Sequence, residues 1–143
     1  MGVKQISVFI ENKKGRLISV TSCLAENEVN IRALSLADTS DFGILRLIVD
    51  HPNRAYRVLK DAGFTVRETE VLALEVADVP GGINAGLTEL ELADINVEYV
   101  YAFLGVEGGK ALNILKVDNM EKAAHALSAA GLRLLNGEEV YRR

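Results

Sequence analysis

The sequence predicts an α+β chain in which a β-α-β-β-α-β unit occurs twice in tandem, over residues 1–70 and 71–143. Three observations carry this expectation. An apolar run, Ile6 to Ile10, ends in the polar turn Glu11-Asn12-Lys13-Lys14-Gly15-Arg16-Leu17 and opens a stretch of helical period. The same layout recurs 66 residues on, in Val76-Ala77-Asp78-Val79-Pro80-Gly81-Gly82-Ile83. The segments that follow also superpose. At an offset of 66, Gly15 meets Gly81, Leu24 meets Leu90 and Asn30 meets Asn96. At 68, Asp50 meets Asp118, Ala55 meets Ala123, Leu59 meets Leu127 and Gly63 meets Gly131. Matches that fall on caps, turns and core faces in one order mark an internal duplication.

The elements follow from residue type and period. Val3 to Ile10 is rich in β-formers and reads as a strand. Leu17, Val20, Thr21 and Leu24 then recur at i, i+3, i+4 and i+7, one face of a helix that Asn27-Glu28 ends. Val29 to Leu36 and Gly43 to Val49 are strands joined through Asp38-Thr39-Ser40-Asp41. Asp50-His51-Pro52-Asn53 starts a second helix, with Ala55, Val58, Leu59 and Ala62 on its apolar face and Gly63 as its stop. Phe64 to Glu70 is a fourth strand. The second unit reads the same way: a strand from Val71 to Ala77, a helix marked by Ile83, Leu87 and Leu90, strands Asn96 to Leu104 and Ala111 to Val117, and a helix over Ala123, Ala126, Leu127 and Ala130. This order is the split pattern of the ferredoxin-like fold, with helices packed on one face of antiparallel sheets.

Bulk properties narrow the function. The 143 residues are 49% hydrophobic and 25% charged, a globular composition. A net charge of −4 gives no electrostatic case for nucleic acid, and no apolar run reaches the length of a membrane span. The single Cys23 and a start without a signal-peptide pattern lead us to expect a cytoplasmic protein. Charge is uneven: residues 1–70 carry +1 and residues 71–143 carry −5.

A strand that ends in a glycine turn before a helix leaves the first helical N–H groups pointing into the turn, where the helix dipole also favours an anion. At these turns the sequence resembles a known family. Asp78-Val79-Pro80-Gly81-Gly82-Ile83 is similar to the Asp-x-x-Gly-x-(Leu/Ile) signature of ACT domains, and Asn12-Lys13-Lys14-Gly15-Arg16-Leu17 is its looser partner. Val29-Asn30-Ile31 and Ile95-Asn96-Val97 resemble that family's entry into its second strand. The resemblance implies two ACT units with no catalytic domain, sensing a free amino acid at the turns and where two such repeats meet. The ligand's carboxylate would sit on the N–H groups of Gly15, Arg16 and Leu17, or of Gly81, Gly82 and Ile83. Its ammonium would take acceptors from Asn12, Asp78, Asn30 and Asn96, with Ile31 and Val97 beside those last two.

Other signals point elsewhere less well. Gly105 to Lys110 departs from a phosphate loop in spacing and joins two strands rather than a strand and a helix. His51, His125 and Cys23 make no zinc set, and Tyr99 with Tyr101 reads as half-buried core. An RNA-recognition module would carry aromatics on its central strands, and Ile44 to Val49 has none. The reading is a regulatory, non-catalytic amino-acid sensor, with no cofactor, no metal, no nucleic acid and no membrane. It would work as a homodimer or with a regulated partner protein. An adaptor or assembly module with vestigial ligand sites is the alternative.

Overall fold

The computed structural model describes residues 2–38, 41–103 and 108–142. In chain order it contains β1 (Val3–Glu11), α1 (Arg16–Glu26), β2 (Ile31–Asp38), β3 (Phe42–Val49), α2 (Pro52–Asp61) and β4 (Thr65–Ala77). There follow α3 (Gly82–Leu92), β5 (Val97–Ala102), β6 (Lys110–Val117), α4 (Met120–Ala129), β7 (Arg133–Leu135) and α5 (Gly137–Tyr141). The β-α-β-β-α-β order is present twice, as the sequence predicts. Two sequence readings, the connection through Thr39 and Ser40 and the hairpin at residues 105–107, lie outside the described residues. Among the described residues no helix is long and apolar enough to cross a membrane.

Two compact units divide the chain. The N-terminal unit is Lys4–Thr69 with Tyr141 and Arg142; the C-terminal unit is Glu70–Val140 with Gly2 and Val3. The strands expected at Phe64 to Glu70 and Val71 to Ala77 are one strand, β4, thirteen residues long. No glycine, proline or asparagine interrupts Thr65 to Ala77, so nothing breaks the extended chain there.

In the N-terminal unit the strand order is β2-β3-β1-β4. The antiparallel register sets Ile6 against Leu47 and Val8 against Leu45, with Leu47 in turn against Leu34. Alternation then places Ile6, Val8, Ile10, Leu45, Leu47 and Val49 on one face. There they pack with Val20 and Leu24 of α1 and Ala55 and Leu59 of α2, all buried. In the C-terminal unit β7 lies against β4, which is followed by β6 and β5. Leu72, Leu74, Val76, Leu115 and Val117 pack with Leu90, Ala123 and Leu127. The two cores use counterpart positions, with two exchanges: Asn113 pairs with Leu74 where Leu45 pairs with Val8, and a glycine replaces Val20. Gly86 of α3 stands where α1 has Val20, and a Cβ on Gly86 would run into the side chain of Leu74.

The four long helices end alike. Val29 N–H donates to the Leu24 carbonyl at 2.9 Å, Phe64 to Leu59 at 3.1 Å, Ile95 to Leu90 at 2.9 Å and Leu132 to Leu127 at 3.0 Å. This is the six-to-one bond of a helix stop that needs one left-handed residue. Gly63 and Gly131 supply it for α2 and α4, whereas Glu28 (φ 56°) and Asp94 (φ 58°) supply it for α1 and α3.

Helix α5 was not anticipated, although its signal is local. Asn136 N–H donates to Glu139 Oε1 at 3.0 Å while Glu139 N–H donates to Asn136 Oδ1 at 2.9 Å, a reciprocal cap. Its last residue serves the N-terminal unit: the Tyr141 hydroxyl accepts from Lys4 N–H at 2.9 Å, and its carbonyl accepts from Arg32 Nε at 3.3 Å.

Two predictions follow from these contacts. A left-handed L-residue costs roughly 1–2 kcal/mol, partly offset by the extra unfolded-state freedom of glycine. Glu28→Gly should therefore stabilise the chain by about 0.5–1 kcal/mol, and Asp94→Gly by less, because aspartate tolerates this conformation better. Denaturant titration checks both; a loss of stability in Glu28→Gly would contradict the strain argument. Second, fragments 1–70 and 71–143 should each be poorly folded or self-associate. The first lacks the Tyr141 partner of Lys4 and Arg32, and each is small enough to bury only about 60% of its unfolded surface. Cooperative, monomeric unfolding of either fragment at high stability would count against this.

Candidate functional site

The two turns leave their sheets by the same backbone route. Asn12 N–H donates to the Asp41 carbonyl at 2.9 Å and Asp78 N–H to the Gly109 carbonyl at 3.0 Å, so the turns are tied to the residues just before β3 and β6. Gly15 (φ 89°) and Gly81 (φ 85°) then cap α1 and α3 in the left-handed region. A Cβ at either would meet nothing within 4 Å, so the backbone angle rather than lack of room calls for glycine. Gly82 is different, because its Cβ would collide with the Ala77 carbonyl. The counterpart of Gly82 in the first turn is Arg16, which carries a full side chain.

The anion cradle differs from the expected one. Arg16 N–H is used inside the turn, donating to the Lys13 carbonyl at 3.3 Å, and Gly82 N–H donates to Val79 at 3.0 Å. The first bonds within the helices are made by Ser19 to Gly15 and by Ala85 to Gly81, both at 3.1 Å. The N–H groups of Leu17 and Ile18, and of Ile83 and Asn84, are thus the ones that the helix starts aim outward. No side chain caps α1 or α3. By contrast, Asn119 Oδ1 caps α4 by accepting from Lys122 N–H at 3.0 Å.

Charge separates the two turns. Residues 11–17 sum to +2, with Glu11 held between Lys13 at 3.3 Å and Arg16 at 3.2 Å. Residues 77–83 sum to −1, from Asp78 alone. On the charges within the turns themselves, the first is the more favourable to a carboxylate. Beside the first turn lies a recess of about 90 Å³, lined by the basic Lys13 and Arg16, the acidic Glu11 and Asp38, and Ile10, Asn12, Leu17, Leu36 and Gly43. That is roughly the room of three waters, enough for a carboxylate head group.

The structure thus brings Asn12, Arg16 and Leu17 together at one recess, near Gly15. Asn30 and Ile31 are elsewhere in that unit. Ile31 pairs with Val49, whereas the turn adjoins Phe42 at the opposite end of β3. Eight residues at about 3.3 Å each separate the two ends by on the order of 25 Å. A single amino acid cannot touch both within one unit. Asn96 and Val97 are likewise remote from Asp78, Gly81, Gly82 and Ile83 along β6. At these far ends an aspartate organises the backbone: Asn30 N–H donates to Asp50 Oδ1 at 2.8 Å and Asn96 N–H to Asp118 Oδ1 at 3.1 Å. Asp50 and Asp118 were visible in the sequence as a repeated pair, but their bonding was not. Leu36 and Gly43 could not be placed at the turn from local sequence, since only the Ile10–Gly43 register brings them there.

The remaining candidates are local features. Cys23 donates to the Val58 carbonyl at 3.7 Å, and burial, reinforced by Glu26, pushes its thiol pKa up, away from a reactive thiolate. Tyr99 and Tyr101 stack with centroids 6.4 Å apart. Among the described residues no group of three or more His, Cys, Asp or Glu side chains could hold a metal ion.

The chain is similar to solved proteins across its length. A Bacteroides thetaiotaomicron protein shares 37% identity, with 100% of this chain and 98% of that one covered and a TM-score of 0.94. The ligand-free regulatory subunit of aspartate kinase from Thermus thermophilus shares the fold at 15% identity, with 92% of each chain covered and a TM-score of 0.67. The corresponding regulatory subunit from Thermus flavus does so at 13% identity, with 92% of this chain and 94% of that one covered and a TM-score of 0.62. No curated protein matches the chain. The family model described as an ACT domain pair matches residues 1–142, and the chain belongs to that family.

Proposed function

We propose that this ACT domain pair is a regulatory module that binds a free amino acid at the turn between β1 and α1 and does no chemistry of its own. The observation that carries the reading is the first turn itself. A left-handed glycine feeds a helix start without a side-chain cap, beside a recess edged by both the basic Arg16 and Lys13 and the acidic Glu11 and Asp38, with Asn12, as the two charged ends of an amino acid require. The carboxylate would be held by the Leu17 and Ile18 N–H groups and the Arg16 guanidinium, and the ammonium by Glu11 or Asn12. The likeness to aspartate kinase regulatory subunits agrees with a regulatory role. The second turn, with Asp78, Gly81, Gly82 and Ile83, would bind more weakly or take a different ligand, because no basic residue stands within it. Binding would act by shifting the population of one arrangement of the protein, to the extent that the ligand prefers that arrangement.

A second reading, assembly with another protein, is favoured by a specific observation. Leu17, Ile18, Leu36 and Phe42 are exposed large apolar residues on the N-terminal unit, Ile18 at 66% and Phe42 at 62%. Of these, Leu17 and Leu36 border one recess, and exposed apolar patches mark interaction sites.

A thermal scan against the twenty amino acids separates the two readings. Ligand at about 100 times its dissociation constant adds about 2.7 kcal/mol of stability, a rise of roughly 5–15 °C for a chain of this size. Analogues without the carboxylate or without the ammonium should give no shift. Arg16→Ala should weaken the best ligand by about tenfold in calorimetry, the scale of one lost charged hydrogen bond, while the apo-protein melts unchanged. If no amino acid binds tighter than about millimolar, the sensor reading falls and the assembly reading takes its place. In the same preparations acyl phosphates and simple esters should not turn over, because the turn lacks a nucleophile paired with a general base. Reproducible hydrolysis lost in Arg16→Ala would refute the non-catalytic assignment.

A further inference from the structure

Next to the small recess, on the other side of Arg16, the N-terminal unit has a second and larger hollow. It has a volume of about 440 Å³ and lies between the end of β1, the start of β3 and the passage from α2 into β4. Ligand pockets for small organic molecules have roughly 300–1,000 Å³. Three phenylalanines are among its lining residues, Phe9, Phe42 and Phe64, with Gly63 beside them at the helix stop. The guanidinium of Arg67 lies 5.7 Å from the Phe9 ring centroid, which fixes that ring from one side. Ile10, Glu11 and Arg16 line both hollows, so the two share one wall. That wall carries the Glu11–Arg16 ion pair at 3.2 Å, a negative and a positive group spaced like the two charged ends of an amino acid.

The C-terminal unit does not repeat this lining. At the positions of Phe9, Glu11 and Arg16 it has Glu75, Ala77 and Gly82, and at those of Phe42, Phe64 and Thr65 it has Lys110, Leu132 and Arg133. Arg133 lies 3.3 Å from Glu75 and 2.7 Å from Glu139. An ion-pair network therefore occupies the strand ends that in the N-terminal unit border an aromatic hollow.

We infer that the N-terminal unit selects a large apolar amino acid, aromatic or branched, whose charged head meets Arg16 and Glu11 while its side chain lies in the hollow against Phe9, Phe42 and Phe64. The inference rests on the amino-acid-sensing reading and adds the class of ligand and the residues that choose it. The small recess is too tight for more than the head group, and the large hollow, polar on the Glu11 and Arg16 side, has Phe9, Phe42 and Phe64 among its lining residues for an apolar side chain to meet. The duplicated chain is thereby asymmetric, with selectivity built into one unit only.

Calorimetry on the full chain with phenylalanine, leucine, serine, glycine and aspartate tests this. Phenylalanine or leucine should bind at least about tenfold tighter than serine or glycine, the scale set by burying a side chain in an apolar pocket. Phe42→Ala, an exposed position whose loss spares the core, should lower phenylalanine affinity by about tenfold and leave the weak affinity for glycine unchanged. Phe42→Tyr should restore it. Equal or tighter binding of serine, glycine or aspartate overturns the assignment while leaving the sensor reading standing. So does phenylalanine affinity that is lost in Arg16→Ala but unaltered in Phe42→Ala. Absence of binding by every amino acid overturns both. The ligand series on the unaltered chain decides the matter even if a variant folds poorly.

Discussion

One constraint shapes each unit: two helices must return to the same face of an antiparallel sheet, where alternate residues of its strands are buried against them. Ile6, Val8 and Ile10 point to α1 and α2 only if the register with Leu45 and Leu47 holds. The helices must therefore start and stop within a turn or two of the strand ends. Left-handed glycines at Gly15 and Gly81 make the starts abrupt, and the six-to-one bonds after Leu24, Leu59, Leu90 and Leu127 make the stops abrupt. The same sharp entry that serves packing also leaves helical N–H groups facing outward. The candidate site is in this sense a by-product of the geometry that the core requires.

Duplication has been followed by divergence of chemistry within a common backbone. The Asn12–Asp41 and Asp78–Gly109 bonds, the Asn30–Asp50 and Asn96–Asp118 bonds, and the helix stops are all paired. Side chains around the turns are not. Arg16 faces Glu11 in the first unit, whereas Gly82 lies so close to Ala77 that no side chain fits in the second. Hydrogen bonding to Glu75, ahead of its charge, holds the Arg133 guanidinium further toward its protonated state, so the second unit carries a fixed ion pair where the first has rings. A symmetric fold thus carries unequal turns.

Exposed apolar surface and the two hollows coincide on the N-terminal unit. Leu17 and Leu36 line the small recess and Phe42 the large one, and all three are exposed. A ligand in either hollow would cover part of that surface and so alter what a protein partner could touch. This links the sensing and assembly readings through one set of residues, by competition for area or by cooperation over it.

The sequence by itself determined the repeat, the order of elements and the cap positions, because each rests on short-range rules: period 2 or 3.6, a glycine at a left-handed stop, proline at a helix start. Gly15, Gly81, Gly63 and Gly131 could be placed without coordinates for that reason. Local rules failed where a feature depends on pairing across the chain. That β4 runs unbroken, that Tyr141 serves Lys4 and Arg32, and that Asn30 stands a strand's length from Asn12 are consequences of register. The hollow formed by Phe9, Phe42 and Phe64 is of the same kind. Its residues are tens of positions apart, and only the antiparallel arrangement of β1, β3 and β4 brings them to one end of the sheet.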